Sequence, residues 1–231
     1  MTTVLETIRG GLIASCQAAS PDSPFRDPAA MRLMVEAVRV GGAVAARVES
    51  IAHVRAARDC GLPLVGLVKR ASAGSDVYIT PTVADVRALI AAGAAIVAAD
   101  GTVRPREGGA TLPELVDAAH TAGAVFMADV DSVEAGIYAA GCGADIVSTT
   151  LAGYTVRDLE VPDTPDIDLV AALVHAAGIP VVAEGRYTRV TEVERAVALG
   201  AHAVVVGTAI SDPVRLTARF AAALPPRQEF R

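Results

Sequence analysis

The sequence contains no tryptophan, and aromatic side chains make up only 3% of its residues. Nucleic-acid binding is therefore disfavoured, because bases stack on aromatic rings and the phosphate backbone attracts basic surfaces. The net charge of −6 argues in the same direction. Since hydrophobic residues make up 52% of the chain, the interior must consist of Ala, Val, Leu and Ile, as in parallel strands covered by alanine-rich helices.

Cysteines are few: Cys16, Cys60 and Cys142 are an odd number without the spacing of a metal site. We therefore expect reduced thiols, no metal and a cytoplasmic protein. No apolar run reaches the ~18 residues that a membrane-spanning helix needs, and the amino terminus lacks a charged segment followed by an apolar one. The sequence thus predicts neither membrane insertion nor export.

Short apolar runs typical of buried strands alternate with segments of helical spacing along the 231 residues. Ser50, Thr111 and Ser132 are typical N-caps of the helices that follow them. A short helix at about 2–9 is expected before the first strand, and the tail at about 225–231 is expected to fray. The predicted strands are 11–17, 43–46, 63–68, 95–99, 124–128, 145–147, 180–183 and 203–206.

Eight strand-then-helix units are the number that closes a parallel barrel with the helices outside, and no linker divides the chain. We therefore predict a single (β/α)8 TIM barrel, an α/β fold, over residues 1–231. An open doubly wound sheet is the rival fold. It usually has fewer strands, and a dinucleotide-binding sheet shows a glycine-rich turn after its first strand, whereas no GxGxxG motif follows any predicted strand here.

Polar residues stand at nearly all of the predicted strand ends. In strand order these ends are Gln17, Arg47, Lys69, Asp100, Asp129, Thr149, Glu184 and Gly207. In a barrel the carboxyl ends of the strands converge on one face, where catalytic groups lie. A single charge at a strand end usually marks only the point where the strand meets water, but a ring with a lysine, an arginine and several acids favours a functional site.

Lys69 is the first charged residue after the apolar run 62–68. Partial desolvation at the mouth of a pocket lowers the pKa of an amine and makes it usable as a base or a nucleophile. The alternative is a lysine whose stem is packed while its charged head stays in water. The run 62–68 with Lys69, taken alone, favours a lysine whose charged head stays in water. The complete ring of polar strand ends favours a functional lysine instead.

The chain resembles the N-acetylmannosamine-6-phosphate 2-epimerases over nearly its whole length. The most specific match is Lys69-Arg70 followed by the loop Asp76-Val77-Tyr78-Ile79-Thr80-Pro81, whereas Gly-Gly-Ala-Val and Val-Val-Val-Gly occur in many phosphate-binding barrels. The other matching stretches are 11–18, 127–129, 149–155 and 183–186.

The resemblance implies a barrel enzyme that inverts C2 of a 2-acetamido sugar 6-phosphate during amino-sugar and sialic acid breakdown, without a nucleotide, cofactor or metal. It implies Lys69 and Glu184 as the catalytic residues. Substrate contacts are expected from Gln17, Arg47, Asp129 and Thr149. From the barrel architecture, the loops after the last two strands are expected to bind the phosphate through Gly185, Arg186, Gly207 and Thr208.

The residue types suit this chemistry. C2 lies next to the aldehyde of the open-chain sugar, so a neutral Lys69 can remove its proton and leave an enolate. Glu184 can shuttle protons during ring opening or act as the second acid or base. Arg47 and Gln17 can hold the sugar oxygens or stabilise the enolate. For Asp129, a salt bridge that orients its neighbours is as good an interpretation as direct catalysis.

One departure from the family pattern concerns the start of the last helix. Many relatives have Thr-Arg-Pro there, and this chain has Ser211-Asp212-Pro213. An arginine that could reach the substrate is thus replaced by an acid that can cap the helix, which leaves the exact substrate open or weakens the binding of its phosphate.

Two other functions stay open. One is a Schiff-base aldolase on the same barrel with Lys69 as the nucleophile. The other is a non-catalytic sugar-phosphate-binding protein, against which the intact pair of Lys69 and Glu184 argues. The sequence does not determine the oligomeric state, and a homodimer is among the options.

Overall fold

Eight parallel strands form a closed barrel in sequential order, which confirms the predicted (β/α)8 fold. The computed structural model describes residues 3–18, 20–72, 74–155 and 163–225. The strands are β1 (Leu12–Cys16), β2 (Ala45–Glu49), β3 (Leu64–Leu67), β4 (Ile96–Asp100), β5 (Val125–Asp129), β6 (Ile146–Ser148), β7 (Val181–Glu184) and β8 (Ala203–Val206).

The α-helices of the described residues surround this barrel, apart from α1 at one end and α10, none of whose residues is buried. They are α1 (Val4–Ile8), α2 (Pro28–Val40), α3 (Ile51–Ala57), α4 (Val83–Ala92), α5 (Leu112–Thr121), α6 (Val133–Gly141), α7 (Ile167–Ala176), α8 (Val190–Ala198), α9 (Thr208–Ser211) and α10 (Pro213–Ala221). None of them is long and apolar enough to cross a membrane. The tail expected to fray lies, from residue 226 onwards, outside the described residues.

Local sequence signals fix where the helices begin. The predicted caps Ser50, Thr111 and Ser132 are confirmed as the N-cap residues of α3, α5 and α6. Ser50, for example, accepts a hydrogen bond from the His53 backbone N–H at 3.2 Å, which satisfies a donor that the first helical turn leaves unpaired.

The amino-terminal end of the barrel is closed by α1. Ile8 is fully buried and belongs to the same apolar cluster as Ile13 and Val65, whose side chains fill the barrel interior. His202 ties the closure together, because its Nε2 lies 2.8 Å from the Leu5 carbonyl oxygen and its own carbonyl accepts a bond from Gly10 N–H at 2.7 Å. A cavity can therefore open only at the carboxyl ends of the strands.

Helices pack closely on the outside of the barrel because small residues separate the two layers. Gly66 on β3 shows this: a Cβ atom added there would lie 2.8 Å from the Cβ of Ala94 and 3.3 Å from the Leu89 side chain. A larger residue would push α4 away from the strand. The glycine in the middle of this apolar strand thus serves packing.

The prediction that the second strand ends before Arg47 is wrong. Arg47 is the central residue of β2, paired in register with Ser15 on one side and Val65 on the other, and Glu49 ends the strand. The arginine side chain is only 1% exposed, so its charge lies inside the barrel. A charge normally marks a strand end because burial is costly, and this one is tolerated because Asp129 faces it.

Candidate active site

A cavity of about 580 Å³ opens at the carboxyl end of the barrel. It is lined by four of the residues singled out from the sequence, Gln17, Arg47, Lys69 and Glu184. Alternation along the strands explains this convergence, since side chains two residues apart point to the same face. Gln17, for instance, lies two residues after Ser15, which also lines the cavity.

Lys69 is held at the cavity wall by Gln17. Its Nζ donates a hydrogen bond to Gln17 Oε1 at 2.6 Å and lies 3.9 Å from Glu49 Oε2. Partial burial lowers the pKa of Lys69, and the positive charge of Arg47 acts in the same direction, while the Glu49 carboxylate opposes the shift. The amine is therefore easier to deprotonate than an ordinary lysine.

The loop that follows Lys69 folds back and fixes its backbone. Lys69 pairs with Ile79 in an antiparallel bridge, and Thr80 N–H donates to the Val68 carbonyl at 2.8 Å. The buried Thr80 has a φ of 44°, an unfavourable conformation for a β-branched residue. It is held there because its hydroxyl donates to the Ala98 carbonyl at 2.6 Å, which ties the loop to β4.

Glu184 lies at the end of β7 with its side chain 11% exposed. Burial raises the pKa of its carboxyl group, and the neighbouring Asp129 charge adds to this, while Arg47 works against it. Thr150 donates a hydrogen bond to Glu184 Oε2 at 3.0 Å, which also lowers this pKa, but the effect of burial is the larger one. The carboxyl therefore keeps a proton more readily than an exposed glutamate.

Arg47 and Asp129 form a buried two-point ion pair. Arg47 Nη2 lies 2.6 Å from Asp129 Oδ2, and Nη1 lies 3.1 Å from Oδ1. Both side chains are almost fully buried, and Arg47 Nη1 is also 3.3 Å from Glu184 Oε2. Asp129 is not among the residues that line the cavity, and its side chain forms the orienting salt bridge, while a contact with substrate stays a prediction.

Thr149, expected to contact substrate, is likewise not among the residues that line the cavity. Its hydroxyl donates to the Glu184 carbonyl at 2.8 Å and accepts from the Glu184 N–H at 2.9 Å, so it fixes the backbone of β7. Thr150 lines the cavity instead. Thr149–Leu151 form a single 3-10 turn after β6, in which the side chains of adjacent residues point in different directions.

All four residues predicted to bind phosphate, Gly185, Arg186, Gly207 and Thr208, line the cavity. Gly185 and Arg186 have φ values of 111° and 61°, so the turn after β7 is sharp and its first position favours glycine. The guanidinium of Arg186 donates to the Ala152 carbonyl at 2.6 Å and to the Thr164 carbonyl at 2.8 Å, which fixes it beside the cavity.

Several cavity residues were not found from the sequence. Tyr78 lines the cavity from the loop after Lys69, and in the sequence it is indicated only by the matching stretch 76–81. Arg215 reaches the cavity from the first turn of α10, three residues after Asp212. Helical spacing from Asp212 was the available signal for Arg215. Among the described residues, no group of three His, Cys, Asp or Glu side chains is placed to hold a metal ion.

The fold and the cavity together define a class of protein. A TIM barrel carries its chemistry at the carboxyl ends of its strands, and here a lysine with a lowered pKa and a glutamate with a raised pKa line one cavity. Two titratable groups shifted in opposite directions are typical of an enzyme that moves protons to and from its substrate.

Comparison with known proteins gives the particular family. Residues 31–225 match the family described as "Putative N-acetylmannosamine-6-phosphate epimerase". The chain belongs to this family, whose members are isomerases.

Individual relatives are similar over nearly their full length. A "Putative N-acetylmannosamine-6-phosphate 2-epimerase" of Cutibacterium acnes is 43% identical over 225 residues, which cover 96% of each chain. A protein of the same name from Clostridium perfringens is 39% identical, over 94% of this chain and 98% of its own.

Solved structures agree with this family assignment. The structure of the N-acetylmannosamine-6-phosphate 2-epimerase from Clostridium perfringens matches with a TM-score of 0.90 and 38% identity, over 95% of this chain and 96% of that one. A thiamine phosphate pyrophosphorylase from Pyrococcus furiosus matches with a TM-score of 0.59 at 16% identity and shares the fold alone.

Proposed function

We propose that this protein interconverts N-acetylmannosamine 6-phosphate and N-acetylglucosamine 6-phosphate by inverting C2, as part of amino-sugar and sialic acid breakdown in the cytoplasm. One observation carries the proposal. Lys69 and Glu184 line the same cavity, with the pKa of the amine lowered and that of the carboxyl raised. Membership of the epimerase family supports the choice of substrate.

In the proposed reaction Lys69, in its neutral form, removes the proton from C2 of the open-chain sugar. The electron pair that is left spreads onto the aldehyde oxygen as an enolate, and a proton returned to the other face of C2 completes the inversion. Gln17 holds the amine in place through the bond to its side-chain oxygen. The lowered pKa of Lys69 increases the neutral fraction at working pH, which is what a base requires.

Glu184 and Arg47 have complementary parts in this reaction. The carboxyl group of Glu184, with its raised pKa, moves protons during ring opening or serves as the second acid or base. Arg47 cannot easily lose its proton, because the carboxylates of Asp129 and Glu184 raise its pKa although burial opposes its charge. Its fixed positive charge at the cavity wall stabilises the enolate.

Proton NMR of the purified protein with N-acetylmannosamine 6-phosphate in heavy water tests the proposal. We expect the signals of the gluco epimer to appear and deuterium to enter C2 of the product. Binding without any conversion would instead favour the non-catalytic sugar-phosphate-binding protein. A borohydride-trapped adduct on Lys69, together with cleavage of the sugar, would favour the aldolase.

A further inference from the structure

The cavity wall formed by the start of α10 contains a buried carboxylate that lacks a hydrogen-bonded partner for one of its oxygens. Asp212 lines the cavity with its side chain only 7% exposed, and Oδ1 accepts a bond from the Arg215 N–H at 3.0 Å. Oδ2 has no hydrogen-bond partner among the described residues. Its nearest cation is Arg215, whose Nε lies 3.5 Å away. A buried charge needs such a partner, so Asp212 holds the arginine near it.

Arg215 itself remains available to a ligand. Its side chain is 59% exposed and lines the same cavity. With Nε towards Asp212, the two terminal nitrogens of the guanidinium have no hydrogen-bond partner among the described residues. Arg186 differs, because Nε and one terminal nitrogen of its guanidinium already donate to backbone carbonyls. A guanidinium with its terminal nitrogens unused is suited to two-point binding of phosphate.

The segment that carries this pair is anchored to the barrel. The buried Ser211 hydroxyl donates to the Ser15 carbonyl of β1 and to the Gly207 carbonyl, the latter at 3.1 Å. Asp212 and Arg215 therefore keep their position next to Gly207 and Thr208, on the side of the cavity where the phosphate of the substrate is expected.

We propose that Arg215 binds the phosphate group of the sugar phosphate directly, and that Asp212 is the positioning residue that holds its guanidinium at the cavity. This assignment rests on the proposed epimerase function for the identity of the substrate. It makes α10, as well as the two turns after β7 and β8, a part of the phosphate site. It also gives the acid at position 212 a function beyond capping the helix.

The first test compares Arg215→Ala with Arg219→Ala, which removes the same charge one turn further along α10 from an exposed side chain that does not line the cavity. Arg215→Ala should raise KM for N-acetylmannosamine 6-phosphate by about 10- to 100-fold, the range of a lost hydrogen bond to a charged group, with kcat within about twofold. Arg219→Ala should leave both constants unchanged. Equal KM values for the two variants, or a fall in kcat alone for Arg215→Ala, would overturn the proposal.

The second test adds Asp212→Asn to Arg215→Ala. Asparagine is also a good N-cap, so the helix start is preserved. Without Arg215 the buried carboxylate repels the phosphate, and its removal should lower KM at least about threefold relative to Arg215→Ala alone. A double variant with the same or a higher KM would contradict the placement of the Asp212 carboxylate beside the phosphate. Asp212→Asn alone should raise KM, because the Arg215 guanidinium is no longer held at the cavity, and an unchanged or lower KM for this single variant would contradict the positioning role of Asp212.

Binding of inorganic phosphate separates this proposal from the proposed function. Calorimetry should show weaker phosphate binding by Arg215→Ala than by wild type and Arg219→Ala, whether or not the protein epimerises any sugar. Absence of epimerisation with a clear effect of Arg215→Ala on phosphate binding would reject only the epimerase function. Epimerisation with phosphate binding unchanged by Arg215→Ala would reject only the role of Arg215.

Discussion

Asp100 and Asp129 are register partners at the ends of β4 and β5, and both are fully buried, yet they belong to different networks. Asp129 binds Arg47 and Thr150, which line the cavity. Asp100 accepts bonds from Thr102 and is paired with Arg104 at 3.1 Å, and neither of these residues lines the cavity. Two equivalent positions thus differ in function because their partners differ.

The function of an acidic residue at a strand end thus depends on which side chains contact it. Asp129 faces an arginine that β2 carries into the interior, so its charge orients a cavity residue. Asp100 is engaged by the loop that directly follows it, so its charge serves that loop. Substitutions in the two networks should therefore differ in their effect on activity.

The largest effect is expected at Lys69. Lys69→Ala should lower kcat by about 10²–10⁴-fold, the usual cost of losing a positioned proton-transfer group, while binding of the sugar phosphate falls much less. Kinetics and calorimetry measure the two quantities. Arg70→Ala is the control, since the neighbouring arginine pairs with Asp85 and Glu107 and does not line the cavity. Near-normal turnover by folded Lys69→Ala would make Glu184 the leading candidate for the base.

A second pair of variants tests the two aspartates directly. Asp129→Asn should lower kcat about 100-fold, because Arg47 loses the charge that orients it, and should cost about 3–5 kcal/mol in the free energy of unfolding. Asp100→Asn should also lower the melting temperature but leave kcat within about threefold, since the Asp100 side chain bonds to Thr102 and Arg104, which do not line the cavity. Circular dichroism measures the folded fraction of each variant. Equal losses of activity per folded molecule would refute the division between the Asp129 and Asp100 networks.

A third, smaller effect concerns the turns expected to hold the phosphate. Valine at both Gly185 and Gly207 should raise KM about tenfold, because side chains there would displace the backbone from the phosphate. Gly178→Val is the control, since Gly178 also has a positive φ, of 70°, but precedes β7 at the opposite end of the barrel. Unchanged KM in the double variant, measured by initial rates, would exclude these turns as the phosphate site.

The smallest effect is a shift of the pH profile. The Glu49 carboxylate raises the pKa of Lys69 against the larger lowering by burial. Glu49→Gln should therefore lower the pKa of Lys69 further, so that the rise of kcat/KM with pH, which marks formation of the neutral amine, moves to lower pH. Glu107→Gln, outside the cavity, should leave the profile in place. A shift to higher pH would show that this rise of kcat/KM does not report the deprotonation of Lys69.

The sequence predicted the barrel and most of the cavity because apolar runs and polar strand ends are local signals. It misplaced the end of β2, because the charge of Arg47 is compensated by a residue far along the chain. It selected Thr149 over Thr150, because adjacent threonines after a short strand carry no signal of which one faces inwards. Arg215 escaped notice, because its position depends on how α10 leaves the barrel. The end of β2 and the position of Arg215 both depend on contacts between distant segments, which local signals do not contain.

The hydrogen bond from Ser211 to Ser15 spans the seam where the first and last strands of the barrel meet. The cavity straddles that seam, with Gln17 on one side and Gly207 and Thr208 on the other. During synthesis a nascent chain that ends before β8 therefore lacks the part of the cavity wall that Gly207 and Thr208 form, and the ligand site is completed last. A ligand that contacts residues on both sides of the seam binds only the closed barrel, so its binding free energy stabilises the pairing of β1 with β8.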